Sequence, residues 1–143
     1  MRYLLLVSHG TFAPGLHSVL DMLVGKREDI LRCSLRDGEG ADEYVSELEK
    51  VVAPIAEDDE VIVMGDIIGG SPLTNALNVL AGRGLLARTR AFGGVSLPMA
   101  LTAAFDLQAD DPAALCASAV SEGQAAMREV ELDLDDDDED EEL

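Results

Sequence analysis

The sequence predicts an α/β domain: an open, doubly wound, mainly parallel sheet of order 2-1-3-4 with helices on both faces. Three observations predict it. Apolar runs of strand length alternate with stretches whose apolar residues recur at helical spacing, the pattern of strand–helix–strand units. The first and third runs are nearly continuous, as strands covered on both faces must be. A glycine-rich turn follows the third run and opens straight into a helix, where sheets of this kind form a ligand crevice.

The first strand is placed at Tyr3–Val7 and ends on Ser8-His9-Gly10. Leu16, Val19, Leu20, Leu23 and Val24 then share one helical face, followed by a strand at Ile30–Leu35. Tyr44, Val45, Leu48, Val51 and Val52 form a second helical face, in a segment ended by Pro54. Glu60–Met64 is the third strand. Ser71 is placed as the N-cap of the next helix and Pro72 as its first residue; Leu73, Leu77, Leu80 and Ala81 face inward until Gly82 and Gly84 stop it. A fourth strand is placed within Ala87–Val95, then helices over Leu97–Phe105 and Ala113–Val130. Met22, Met64 and Met99 are read as core filler, and His17 as a helical histidine with no carboxylate partner apparent from spacing. Arg83, Arg88 and Arg90 are read either as scattered solubilising charges or as a docking patch for acidic surface.

A chain of 143 residues suggests one domain, placed at residues 1–130, with residues 131–143 as an acidic tail expected to be disordered and solubilising. With no Trp, 2 Tyr and 3 Phe, the core must be aliphatic. The formal net charge is −19; the tail holds ten of the 29 acids and none of the ten bases, so the remainder still stands at −9. That balance argues against nucleic-acid or anionic-membrane partners, which need a basic face, and favours partners with basic docking surfaces. Cys33 and Cys116 are far apart and are read as buried free thiols. The N-terminal apolar run is too short for an export signal, and no stretch is long enough to span a bilayer, so a cytoplasmic location and no membrane insertion are expected.

Two loops carry the chemistry. With strand order 2-1-3-4, the first and third strands are neighbours about 4.8 Å apart. His9 leaves the first and Asp66 ends the third, so residues 57 positions apart meet at the carboxyl edge of the sheet. A carboxylate that accepts the Nδ1 proton of an imidazole fixes its tautomer and leaves Nε2 with an exposed lone pair. That nitrogen can attack phosphorus. Gly69, Gly70 and Ser71, at a helix N-terminus, form a ready cradle for the phosphoryl group. Transfer of such a group needs mainly positioning and charge stabilisation. No metal-ligand spacing accompanies these residues, and no cofactor is expected.

Four stretches in register, "SHGTFAPGL", "DGEGAD", "DIIGGSPLTNAL" and "GGVSLPM", resemble the IIA component of the mannose-type (mannose/fructose/sorbose) phosphoenolpyruvate-dependent sugar phosphotransferase system. They cover roughly residues 1–105. The resemblance implies that His9 accepts a phosphoryl group from the phosphocarrier protein HPr and passes it to a IIB component, with Asp66 orienting it. Gly69, Gly70 and Ser71 become the cradle, and Gly10, Phe12, Ser96 and Pro98 the rim. It also implies a homodimer in which a strand near the C-terminal part is exchanged. The acidic end departs from the family pattern. Two alternatives stand beside this reading: a non-catalytic anion- or nucleotide-binding regulatory module, and the related phosphocarrier of a dihydroxyacetone kinase system, whose glycine loop does not usually continue as Gly-Gly-Ser-Pro.

Overall fold

The computed structural model describes residues 1–134. Four parallel strands, β1 (Arg2–His9), β2 (Ile30–Leu35), β3 (Glu60–Gly65) and β4 (Thr89–Phe92), form one sheet in the order β2-β1-β3-β4. Five α-helices connect and cover them: α1 (Phe12–Val24), α2 (Ala41–Val51), α3 (Ser71–Gly82), α4 (Leu97–Phe105) and α5 (Pro112–Ala125).

The alternation of side chains along a strand divides the core in two. Leu4 and Leu6 of β1, with Ile62 and Met64 of β3, pack under α1, α4 and α5. Tyr3, Leu5 and Val7, with Val61 and Val63, pack under α2 and α3. Both faces of the central strands are thus closed, which is why those strands read as unbroken apolar runs. Cys33 and Cys116 are both buried free thiols, one in each layer.

Several boundaries differ from the sequence expectation. β1 stays paired with β2 as far as His9 opposite Leu35, so His9 is the last strand residue and does not lie beyond the strand. β4 is shorter than predicted, because Leu86–Arg88 form a 3₁₀ turn before it. α5 stops at Ala125, and residues 126–134 carry no helix or strand. The expected disorder of the tail beyond residue 134 lies outside the described residues. Met64 and Met99 are core residues as read, but Met22 is 83% exposed: it falls on the outer face of α1, opposite Leu16 and Leu20. Arg83 is more than a scattered solubilising charge. Its guanidinium donates to the carbonyls of Val52 and Ile55 (2.7 Å for the latter), fastening the segment that follows α2 to the end of α3.

At the amino edge of the sheet, Arg2 is almost fully buried and donates to the carbonyls of Leu107 and Ala109 at 2.6 and 2.7 Å and to Glu60 at 2.7 Å. Gln108 donates to the Arg2 carbonyl and to Asp29. These bonds pin the α4–α5 connection to the end of the sheet away from the histidine.

Tyr44 ties α2 to α3 on the carboxyl side. It is fully buried, and its hydroxyl donates to the carbonyl of Pro72 at 2.9 Å. Burial pushes its ionisation far above the usual range. Tyr44→Phe keeps the ring and removes one buried hydrogen bond, so the expected loss is about 1 kcal/mol, read as a lower midpoint in urea at unchanged slope.

Candidate functional site

β1 pairs with β3 up to Val7 opposite Gly65. β3 ends there, and the next residue, Asp66, lies beside the Ser8–His9 peptide. Its carboxylate is held by three donors. Oδ2 accepts from the His9 backbone N–H and faces His9 Nδ1, each at 2.9 Å, while Oδ1 accepts from the Ile67 N–H at 2.9 Å. Burial pushes the Asp66 carboxyl upward, but the backbone and ring bonds from His9 outweigh it, and the group ionises below its ordinary value. A neutral His9 held this way carries its proton on Nδ1, and among the described residues Nε2 has no hydrogen-bond partner. The His9 side chain is 45% exposed and that of Asp66 17% exposed. The nitrogen therefore faces water while its orienting group is shielded.

The segment before the helix is built around that ring. Ser8 is fully buried; its hydroxyl accepts from Ala13 N–H at 2.7 Å and donates to the His9 carbonyl at 3.0 Å. It therefore binds the first turn of α1 where Thr11, the residue at the N-cap, makes no side-chain bond. Sequence reasoning passed over Ser8, which stands three residues before the N-cap Thr11, outside the position from which a side chain ordinarily caps a helix. Gly10 N–H donates to Leu35 O at 2.8 Å, which fastens the turn between β1 and α1 to β2.

On the other side, Gly69 has φ +82°, a conformation that lets the chain reverse between β3 and α3. Gly70 follows, and a methyl group added there would sit 3.0 Å from His9 Cε1. The glycine makes room for the imidazole as well as opening the helix. The N-cap is Gly70, extended at φ −78°, ψ 158°, and Ser71 is the first helical residue, so the helix starts one residue earlier than expected. Released from capping, the Ser71 hydroxyl accepts from Asn75 Nδ2 at 2.9 Å, which leaves its hydrogen to donate elsewhere. Asn75 was not singled out from sequence, although its spacing of four from Ser71 was visible.

Not all rim candidates converge. Phe12, the first residue of α1, is 46% exposed, close in sequence to His9. Ser96 caps α4 by accepting from Met99 N–H at 3.4 Å, and the Pro98 carbonyl accepts from Thr102. No hydrogen bond joins either to His9 or Asp66. The second histidine, His17, does have a carboxylate nearby: Asp21, one helical turn on, at 3.6 Å. Burial lowers the His17 pKa, with Arg32 adding to the effect and Asp21 opposing it. No group of three or more metal-ligating side chains occurs among the described residues.

Fold and site together describe an α/β domain with a carboxylate-held, solvent-facing histidine at its topological switch point. The chain belongs to the mannose-type EIIA family: the family model for the phosphotransferase system fructose IIA component matches residues 3–120. Solved structures agree in fold. The mannose/sorbose-specific IIA subunit of Enterococcus faecalis is 24% identical, with a TM-score of 0.78 over 92% of this chain and 96% of that one. The IIA protein associated with the fucose utilization operon of Streptococcus pneumoniae is 25% identical, with a TM-score of 0.75 over 90% and 92%. The EIIA component of Streptococcus agalactiae is 18% identical, with a TM-score of 0.76 over 90% and 97%.

Proposed function

We propose that this IIA component is a phosphoryl relay working in the cytoplasm, in which His9 takes a phosphoryl group from the phosphohistidine of HPr and hands it to a IIB component for sugar uptake. The single observation that carries the reading is the placement of one Asp66 oxygen 2.9 Å from both the backbone N–H and Nδ1 of His9. The proton is thereby kept on Nδ1, and the Nε2 lone pair points outward.

In the forward step that lone pair attacks phosphorus in line. The bond from phosphorus to the HPr nitrogen breaks, and its electron pair returns to that imidazole. No proton need leave His9, because Nε2 carries none. The phosphorylated ring is held by the Asp66 carboxylate through Nδ1–H, and transfer to the IIB component repeats the displacement with His9 as leaving group. The N-terminal end of α3, with Gly69, Gly70 and the Ser71 hydroxyl, is suited to the phosphoryl oxygens, since a helix N-terminus favours negative charge. Gly10 and Phe12 have a better claim to the rim than Ser96 and Pro98, being nearer to His9 in the chain.

Incubation with phosphoenolpyruvate, enzyme I and HPr tests this. One phosphoryl group per chain, labile in acid and stable in base, is the expected product. No uptake, together with a large thermal shift on adding nucleotide, overturns the relay in favour of a binding module.

A homodimer is part of the proposal. The outer edge of β4 has no partner strand among the described residues. Val130, Leu132 and Leu134 alternate with Glu129, Glu131 and Asp133, and those three apolar residues are 74%, 76% and 89% exposed. A period of two with one apolar face suits a strand added to an open edge, and the exposed Arg90 of β4, with Arg88 just before the strand, suits its acidic side. Light scattering is expected to give twice the chain mass for the full chain and the chain mass for a version ending at residue 126. A monomeric full chain refutes the dimer.

A further inference from the structure

The motif "GGVSLPM" contains two glycines that the relay does not use. They form the turn between β4 and α4, and that turn touches the outer side of the loop whose inner side touches His9. Gly94 N–H donates to the Asp66 carbonyl at 3.2 Å, and Val95 N–H to the Gly65 carbonyl at 3.1 Å. Gly93 packs against Ile68 so closely that a methyl group there would overlap Ile68 Cγ1. It would also lie 2.9 Å from Ile68 N and 3.2 Å from its Cα. Turning the exposed Ile68 side chain away removes the first of these overlaps. It leaves the two backbone contacts, so the main chain of the loop or of the turn must shift.

The loop 66–70 is therefore held between two close approaches, Gly93 on Ile68 and Gly70 on the His9 ring. Between them lie the Asp66 carboxylate that faces Nδ1 and the carbonyl of the same residue that receives Gly94. We infer that Gly93 is a positioning residue for His9: by letting the β4–α4 turn lie against the Ile68 backbone, it sets the distance between the Asp66 carboxylate and the imidazole. The inference rests on the reading of His9 as phosphoryl acceptor, but its structural readout does not require transfer to occur. Gly93 itself touches neither ring nor carboxylate. Its backbone is not in the left-handed region, so alanine there is opposed by contact and not by φ.

The test uses the full chain and three variants, Ile68→Ala, Gly93→Ala and the double variant, each labelled with ¹⁵N in the histidine ring. In wild type and Ile68→Ala the ring signals are expected to report Nδ1–H as the dominant neutral tautomer. In Gly93→Ala they are expected to move towards a mixture of both tautomers. The double variant lacks the side-chain overlap and keeps only the backbone contacts, so it is expected to show the same mixture. It also serves if Gly93→Ala alone does not fold. Phosphoryl uptake from HPr is expected to fall about 10- to 100-fold in both Gly93 variants relative to Ile68→Ala, since misplacing a positioned group by about 1 Å can cost about 100-fold. Folded Gly93 variants whose ring signals match wild type overturn the inference. Reversion of the double variant to wild-type signals also overturns it, because the effect would then belong to the Ile68 side chain. If the wild-type chain takes up no phosphoryl group, the relay is wrong, and the ring spectra still decide the role of Gly93.

Discussion

His9→Ala is expected to take up no phosphoryl group from HPr, against one per chain for the wild type. The site supplies no substitute nucleophile. Ser71 is a neutral hydroxyl already bonded to Asn75, and among the described residues no base is hydrogen-bonded to it to remove its proton. His17 is held in α1, largely covered, with its Nε2 directed to Asp21. The fold is expected to survive, since the His9 side chain is 45% exposed and belongs to neither core layer. Its circular dichroism and urea midpoint should stay close to those of the wild type. Uptake by the variant at the wild-type stoichiometry would move the acceptor elsewhere.

Asp66→Asn is the second large effect. An amide oxygen in the Oδ2 place can still accept from both His9 donors, but its NH₂ then opposes the Ile67 N–H, and the group carries no charge to balance a phosphorylated imidazolium. Loss of a carboxylate that orients a histidine typically costs 10- to 100-fold. The transfer rate is expected to fall by about 100-fold while His9 can still be labelled on long incubation. Acid stability offers a separate check. The Asp66 pKa is depressed in the fold, so the carboxylate contributes stability that is fully present above the ordinary carboxylate range and is lost as pH falls through the lower folded value. The difference in unfolding free energy between wild type and Asp66→Asn should therefore be constant near neutrality and shrink only below about pH 4. A gap that closes between pH 6 and 7 would point to a different group.

The sheet order was legible because the physics behind it is coarse. Continuous apolar runs demand a sheet covered on both faces, and a glycine turn running into a helix marks the carboxyl edge. The meeting of His9 and Asp66 followed from that order alone. Features set by side-chain reach or backbone angle were less accessible. Whether Gly70 or Ser71 caps α3 is decided by one residue's ψ. The long arm of Arg83 reaches carbonyls at Val52 and Ile55, about thirty positions back, and no local pattern announces it. Met22 and Val24 look alike in a list of apolar residues, yet the turn of α1 sends the first into water. Apolar residues at Met127 and Val130 continue a helical spacing past Ala125, where the helix in fact ends. The contact of Gly93 with Ile68 joins two loops that are distant in sequence, and composition gives no hint of it.

The double grip of Asp66 on the backbone and the ring of one residue has a consequence for traffic. An imidazole tethered at both places cannot swing from a donor on one side to an acceptor on the other. On the proposed relay, His9 is a fixed post, and its donor and acceptor proteins must come to it in turn. Flux through such a post is governed by arrival and departure at a single berth, so a partner that leaves slowly delays the next as effectively as any slowing of the chemistry.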